Sequence, residues 1–317
     1  MDLSLVFMWV GFILAGYSVV GNDVIQTLGT FLSSNSRRPW WLLFLFAGSI
    51  LAGTLIYGWS VNDGDVSYAR LSEYPLPQPM GWFYVLPPLV LMAITRVGIP
   101  VSTSFLILTF FNEENLGDML TKSVSGYGVA FVVAIVVYFL ITRLLERRFI
   151  EIPITKRQRN YWTIAQWLST GFLWSQWLIQ DFANIFAYLP RSLSGGQLAI
   201  SLVILLGMLA FIFYSQGGAI QKIVLAKTNT TDIRSATIID FIYGMILLYF
   251  KELNEVPMST TWVFIGLLAG REIAIRWRMH SKVDKRALKD VGQDLAKVTF
   301  GLVVSIGLVF FIKLFTS

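Results

Sequence analysis

The chain has 317 residues, of which 55% are hydrophobic and only 14% are charged, and its mean hydropathy is +0.64. A soluble domain carries about a quarter charged residues, so this composition excludes an ordinary soluble protein. Cysteine is absent, which excludes disulfides and thiolate metal sites, and the net charge of +6 is concentrated in a few loops, unlike a nucleic-acid-binding surface.

Apolar stretches of membrane-spanning length recur along the chain and predict an all-α polytopic membrane protein. In the first half we predict spans near 4–32, 40–59 and 124–144, with an apolar hairpin at 82–112. In the second half we predict spans at 161–188, 197–214 and 293–315, with a hairpin at 233–270. The N-terminus lacks the basic region of a cleaved signal peptide, so we expect none.

The stretch at 82–112 is too short to cross the membrane twice. Two crossings need about 40 residues, whereas Trp82 to Phe111 spans 30 residues and is interrupted at Gly98 and Pro100. Non-helical backbone at membrane depth is tolerated only where protein buries it or where it lines a cavity. The sequence therefore predicts a re-entrant helical hairpin here.

Two motifs occur twice, 157–158 residues apart. Gly21-Asn22-Asp23-Val24-Ile25-Gln26 recurs as Ile179-Gln180-Asp181-Phe182-Ala183-Asn184, and Pro100-Val101-Ser102-Thr103-Ser104 recurs as Pro257-Met258-Ser259-Thr260-Thr261. A near-constant offset of half the chain indicates an internal duplication, which in a membrane protein is typical of a transporter. We predict repeat 1 at 1–145, a basic cytoplasmic linker at 146–160 and repeat 2 at 161–317.

The basic residues predict the topology. With the N-terminus outside, the inner segments at 37–38, 143–159, 222–234 and 271–289 hold 18 of the 25 Lys and Arg residues, and outer segments hold four. This asymmetry follows the positive-inside rule. Each repeat then has about three full spans, one of them interrupted, plus a re-entrant hairpin. Because each repeat crosses an odd number of times, the second is inverted, and both termini lie outside a cell membrane. We expect the 271–290 loop to form a solvated, charged helix, with His280 as a solvated loop residue.

The duplicated acidic motif predicts cation ligands. A carboxylate inside an apolar segment is costly unless it meets a cation or hydrogen-bond donors. Gly21 allows a broken helix whose carbonyls join the side chains in binding a hard cation such as Na⁺. The predicted cation-binding residues are Asn22, Asp23, Gln26, Gln180, Asp181 and Asn184. A purely structural polar contact between helices is the alternative interpretation.

The duplicated hydroxyl motif predicts an anion site. Each Pro suits the first turn of a half-helix, and the hydroxyls and backbone N–H groups that follow lie at its positive end. Two inverted hairpins bring these ends together near the midplane. The predicted oxyanion-binding residues are Ser102, Thr103, Ser104, Ser259, Thr260 and Thr261. For a lone copy, an ordinary helix cap is the simpler interpretation.

One further acidic residue, and the lack of known catalytic and nucleotide-binding motifs, bear on the function. Asp240 lies in an apolar arm of the second hairpin, where a role as a coupling residue that binds a cation or carries a proton is one interpretation. The sequence has no nucleotide-binding loop, Ser/His/Asp triad or zinc motif. It predicts a transporter without a cofactor, driven by an ion gradient, and no enzyme.

At these residues the chain resembles the inorganic phosphate transporter (PiT) family. That family carries two inverted copies of a Gly-Ala-Asn-Asp-Val-Ala-Asn signature, each followed by a Pro-Ser-Thr motif that ends in His. The resemblance is close at Gly21–Val24 and at Gly98–Ser104, and looser at Gln180–Asn184 and Val256–Thr261. It implies symport of inorganic phosphate with Na⁺ or H⁺ by alternating access.

The chain departs from the family signature at four positions. Gln26 and Gln180 replace Asn, and Phe105 and Trp262 replace the closing His. Symport of another oxyanion such as sulfate therefore stays open. Two alternatives belong to other functional classes of membrane protein: a passive anion channel and an anion sensor that does not transport. The bilayer is the expected environment, and a homo-oligomer is compatible with the composition.

Overall fold

The computed structural model describes residues 2–96, 102–141, 154–215, 233–253, 255–280 and 285–316. Over these ranges the chain is all-helical, as predicted. The helices are α1 Leu3–Val19, α2 Ile25–Ser34, α3 Trp40–Val61, α4 Leu86–Arg96, α5 Thr103–Phe111, α6 Leu116–Ile141, α7 Lys156–Phe186, α8 Gly195–Tyr214, α9 Ile233–Leu253, α10 Thr260–His280 and α11 Lys285–Thr316. A π-helix at Val20–Val24 joins α1 to α2, and a 3₁₀ turn at Trp82–Val85 precedes α4.

Five of the described helices are long and apolar enough to cross a membrane: α3, α6, α8, α9 and α11. Large apolar side chains on their outer surfaces are exposed, among them Leu45, Val203 and Phe311. Exposed apolar faces on spanning helices are what lipid contact requires. The protein is therefore a multi-pass membrane protein.

The first hairpin consists of two arms that are each too short to cross. At 1.5 Å per residue, α4 with 11 residues and α5 with 9 residues extend about 16 and 14 Å, against a hydrocarbon thickness of about 30 Å. Every residue of α5 is buried, so protein rather than lipid surrounds it. Gly98 and Pro100, where we predict the interruption, lie outside the described residues.

The second hairpin has longer arms than the sequence analysis predicts. Both α9 and α10 have 21 residues, and α10 continues to His280, ten residues past the predicted boundary. The predicted hairpin boundary at 270 is wrong, and so is the prediction that Arg271 is solvated. No Gly or Pro occurs between Gly270 and His280 to end the helix, and Arg271 is buried with its guanidinium carbon 5.6 Å from the centre of the Tyr138 ring.

Each main helix pairing in one half of the chain has a counterpart in the other half, so this set of pairings is unchanged when the two halves are swapped. The first helix of each half packs against the first hairpin arm of its own half, α1 against α4 and α7 against α9. The second hairpin arm of each half packs against the last helix of the other half, α5 against α11 and α10 against α6. The middle spans α3 and α8 pack against each other.

The contact between α6 and α10 depends on two glycines four residues apart. A Cβ on Gly266 would lie 2.5 Å from the carbonyl oxygen of Tyr127, and one on Gly270 would lie 2.2 Å from that of Phe131. Small residues at this spacing allow helix backbones in membranes to approach closely. Because the second hairpin tip leads directly into α10, this contact fixes where that tip lies.

Candidate functional site

Asp23 lies in the π-helix between α1 and α2. A π-helix is a local one-residue insertion that is frequent at functional sites, and here it replaces the broken helix that Gly21 suggested. Asp23 is buried, and its backbone carbonyl accepts a hydrogen bond from the Thr27 hydroxyl at 3.0 Å. The side chains of Asn22 and Gln26 lie outside the described residues.

The matching acidic motif lies on α7, which remains a regular helix through it. Ile179 occupies the place of Gly21, and nothing else in the motif interrupts helical hydrogen bonding. Gln180, Asp181 and Asn184 are all fully buried. The Asn184 amide donates to Asp181 Oδ1 at 2.7 Å, and the Gln180 amide donates to the Leu247 carbonyl at 3.2 Å.

Three side-chain oxygens of this motif are buried without a hydrogen-bond partner among the described residues. They are Asp181 Oδ2, Asn184 Oδ1 and Gln180 Oε1. Each buried polar atom without a hydrogen-bond partner lowers the stability of the folded state by about 1–3 kcal/mol. Three such atoms between residues 180 and 184 therefore favour a bound ligand at this position. Oxygen atoms of carboxylates and amides are the ligands that hard cations prefer.

The structure brings the two acidic motifs together. Asp23 and Asp181 lie close enough for their charges to repel, and Thr260 of the second hydroxyl motif lies near Asp181. Tyr243 lies in the field of both carboxylates. Two buried carboxylates in one site repel each other, and a bound cation or proton relieves that repulsion.

The two hydroxyl motifs also meet, as predicted. Ser102 caps α5, and Ser104 Oγ donates to the Met258 carbonyl at 3.3 Å, which joins one hairpin tip to the other. The Asn184 amide donates to Thr103 Oγ1 at 3.1 Å. The first hydroxyl motif therefore contacts both the second hairpin tip and the acidic motif of α7.

The second hydroxyl motif begins α10, but its proline is outside the helix. Residues 256–259 are non-helical, so the prediction that Pro257 occupies a helical first turn is wrong, while Pro100 lies outside the described residues. Ser259, Thr260 and Thr261 are buried. The Ser259 N–H donates to Ser123 Oγ at 2.9 Å, the Tyr243 hydroxyl donates to the Thr260 carbonyl at 3.0 Å, and Ser259 Oγ lacks a described partner.

Asp240 lies apart from this cluster, at a junction of three helices. Thr30 Oγ1 donates to its Oδ1 at 2.6 Å, and Thr170 Oγ1 donates to its Oδ2 at 2.5 Å. The buried carboxylate thus joins α2, α7 and α9. Both oxygens have a donor, in contrast to Asp181, and the coupling role of Asp240 stays a prediction.

Two basic residues beside the second hairpin tip escape the sequence analysis, which counts them only as outer charges. Lys122 Nζ donates to the Val256 carbonyl at 2.7 Å, and Arg70 Nη1 donates to the Glu255 carbonyl at 3.3 Å. Arg70 belongs to the loop after α3 and is buried, which lowers its pKa to about 10, so it stays charged at neutral pH; its charge reaches Asp181. No local pattern marks either residue, since remote packing places them.

Fold and site together define a multi-pass helical membrane protein with a buried polar centre, to which both halves of the chain contribute. No family model matches the sequence, and no curated protein matches it. A solved structure described as the sodium-dependent phosphate transporter is similar, with a TM-score of 0.65 and 16% sequence identity. The match covers 99% of this chain and 100% of the other. At this identity the likeness is one of fold, and it confirms the fold that the motif pairs predict.

Proposed function

We propose that the protein is a secondary active transporter that couples the movement of inorganic phosphate to that of Na⁺ or H⁺. The observation that carries the proposal is the convergence of both acidic motifs and both hydroxyl motifs on one buried centre. The similar structure is described as a sodium-dependent phosphate transporter, which supports phosphate as the substrate. The carboxylate, amide and hydroxyl oxygens described in this centre suit the binding of a cation and an oxyanion, so transport is favoured over catalysis.

The cation sites lie at the two acidic motifs. Asp23 and Asp181 provide carboxylates, with Asn184 and Gln180 contributing amide oxygens, and Na⁺ is the coupling ion that this oxygen-rich set suits best. By their positions in the motif, Asn22 and Gln26 complete the first site. A proton shared between the two carboxylates is the alternative. Asp240 is proposed as a further coupling residue, because a buried carboxylate that joins three helices links its charge state to their packing.

The oxyanion lies between the hairpin tips. Thr103 Oγ1 already accepts a hydrogen bond from Asn184, so its own proton is available for a phosphate oxygen. Ser102, Ser104, Ser259, Thr260 and Thr261 add hydroxyls at two positive helix ends. Arg70 adds positive charge on the side that we predict to be outside. Bound cations would offset the repulsion between the anion and the two carboxylates, and this makes the binding of both ligands cooperative.

We infer an inverted repeat from the helix pairings, which are preserved when the two halves are exchanged. In such a fold the site at the repeat interface opens alternately to either side as one part moves against the other. The charge asymmetry of the loops supports a cell-membrane location with both termini outside.

Uptake of radiolabelled phosphate into proteoliposomes tests the function. We expect accumulation that requires an inward Na⁺ gradient and that excess sulfate does not inhibit. Accumulation driven by a pH gradient alone would make H⁺ the coupling ion. Strong inhibition by sulfate would indicate another oxyanion substrate, and flux without any cation gradient would indicate a passive channel.

Replacing Thr103 by Val should raise the apparent KM for phosphate by about 10- to 100-fold, since a hydrogen bond to a charged group contributes about 1.5–3 kcal/mol. The change keeps the side-chain volume and removes the hydroxyl between Asn184 and the anion. Initial rates over a range of phosphate concentrations measure it. Thr109→Val on the same helix is the matched control, because the Thr109 hydroxyl is equally buried and has no described partner. An equal KM in both variants would contradict the assignment.

A further inference from the structure

A second polar cavity lies at the far end of α2 from Asp23. Its volume is 610 Å³, and it is lined by the end of α2, the turn before α3, and the start of α7. With ten residues in α2, about 15 Å of helix separates it from the π-helix. The topology predicted from the loop charges places this cavity on the inner side of the membrane.

Three arginines line the cavity, namely Arg37, Arg38 and Arg159, and no acidic residue is among its described lining residues. None of the three forms an ion pair with a described residue. The carboxyl end of α2 brings a partial negative charge of about half a unit. Arg159 lies in the first turn of α7, whose positive end brings about the same charge of opposite sign. Three guanidinium charges therefore dominate the site.

One of these arginines is held in a fixed position. Arg38 Nε donates to Asn35 Oδ1 at 3.1 Å, and its guanidinium carbon lies 5.4 Å from the centre of the Trp167 ring. Its two terminal nitrogens make no hydrogen bond with a described residue. A guanidinium fixed by its Nε atom and by an aromatic face presents a planar pair of donors, which is the geometry that phosphate oxygens match.

The residue that holds Arg38 is itself part of the buried structure. Asn35 is 4% exposed and receives a second hydrogen bond from Trp167 Nε1 at 3.2 Å. Its amide donates to Gln166 Oε1 at 2.8 Å, and Gln166 is fully buried on α7. The position of Arg38 is thus set by the contact between α2 and α7, the helices next to the two acidic motifs. The hydroxyls of Ser33 and Ser36 add neutral donors to the cavity lining.

We propose that this cavity is a second anion site, which binds a phosphate group through Arg37, Arg38 and Arg159. The group can belong to free inorganic phosphate or to the headgroup of an anionic phospholipid, because both present the same oxygens to the guanidinium groups. The site is separate from the centre between the hairpin tips, and its occupancy does not depend on whether the protein transports phosphate.

The test compares two triple variants of the full chain. Arg37→Gln/Arg38→Gln/Arg159→Gln removes the charges of the cavity. Lys156→Gln/Arg157→Gln/Lys289→Gln removes the same charge from exposed residues that are not among its lining residues. Radiolabelled inorganic phosphate bound per chain is measured by equilibrium dialysis in detergent. Phosphatidylglycerol retained per chain is measured by native mass spectrometry, with phosphatidylcholine as the neutral lipid. Size-exclusion profiles and circular dichroism check that both variants fold.

A cavity variant that binds one phosphate fewer than the control variant establishes a site for the free ion. Equal phosphate binding with phosphatidylglycerol retained only by the control establishes a site for the lipid headgroup. Equal binding of both ligands by the two variants overturns the proposal. If the centre between the hairpin tips binds no phosphate, the number of phosphates bound per chain falls by the same amount in both variants. The difference between the two variants still reports on the cavity, so the failure of one proposal can be told from the failure of the other.

Discussion

Asp181→Asn is expected to reduce cation-driven phosphate uptake by about 100-fold or more. The change keeps the shape of the side chain and removes its charge, while Asn184 and Gln180 still present their unpartnered oxygens. Removing one partner of a buried charge pair costs about 3–5 kcal/mol, and each 1.4 kcal/mol is a factor of ten. Because a bound cation offsets the charge of the anion, loss of the cation also weakens phosphate binding. Uptake under an imposed Na⁺ gradient measures the effect.

Asp118→Asn provides the matched control, since Asp118 is an exposed acid in the first turn of α6. It should transport like the unmodified protein. Full uptake by Asp181→Asn would remove the acidic motif of α7 from the cation site. Uptake that is lost in both variants would point to a general effect on expression or insertion, which the amount of protein in the vesicles would reveal.

Gly270→Ala should lower the melting temperature by about 2–12 °C. Its Cβ would lie 2.2 Å from the Phe131 carbonyl oxygen, a backbone atom that no side-chain rotation can move. Overpacking of this kind costs about 1–3 kcal/mol, and about 1 kcal/mol shifts the melting temperature of a large domain by 2–4 °C. Thermal unfolding of the detergent-solubilised protein, followed by size-exclusion chromatography, measures the shift.

Gly128→Ala is the control for this variant, because Gly128 lies on α6 and a Cβ there has nothing within 4 Å. Alanine favours helix over glycine by up to about 1 kcal/mol, so the melting temperature should stay the same or rise. A similar decrease in both variants would show that the lower melting temperature does not come from the close contact between Gly270 and the Phe131 backbone.

Sequence patterns predict the fold well because bilayer thickness and charge asymmetry constrain helices strongly. The first hairpin follows from its length alone, since α4 and α5 have too few residues to cross. The convergence of Asp23 with Asp181, and of Ser104 with Met258, follows from the duplication. The predicted boundary at 270 fails because charged residues at helical spacing are compatible both with a surface helix and with a continuation of α10.

The rest of the site depends on tertiary packing that the sequence does not display. Arg70 and Lys122 reach the second hairpin tip from remote segments, and each resembles an ordinary loop charge in the sequence. Tyr243 lies in the field of both carboxylates because α9 packs against α7. The π-helix at Val20–Val24 has no signal apart from Gly21, which is compatible with several helix interruptions. The assigned roles of the six cation-binding and six oxyanion-binding residues remain predictions.

The exchanged hairpin arms constrain how the protein is made. The partner of α5 is α11, which is synthesised long after α5, and the glycine face of α10 fits α6, which is synthesised before it. Neither half can reach its final packing while the other is missing. The first half therefore cannot complete its packing until α10 and α11 have been inserted, and until then its polar hairpin tip must be kept away from lipid.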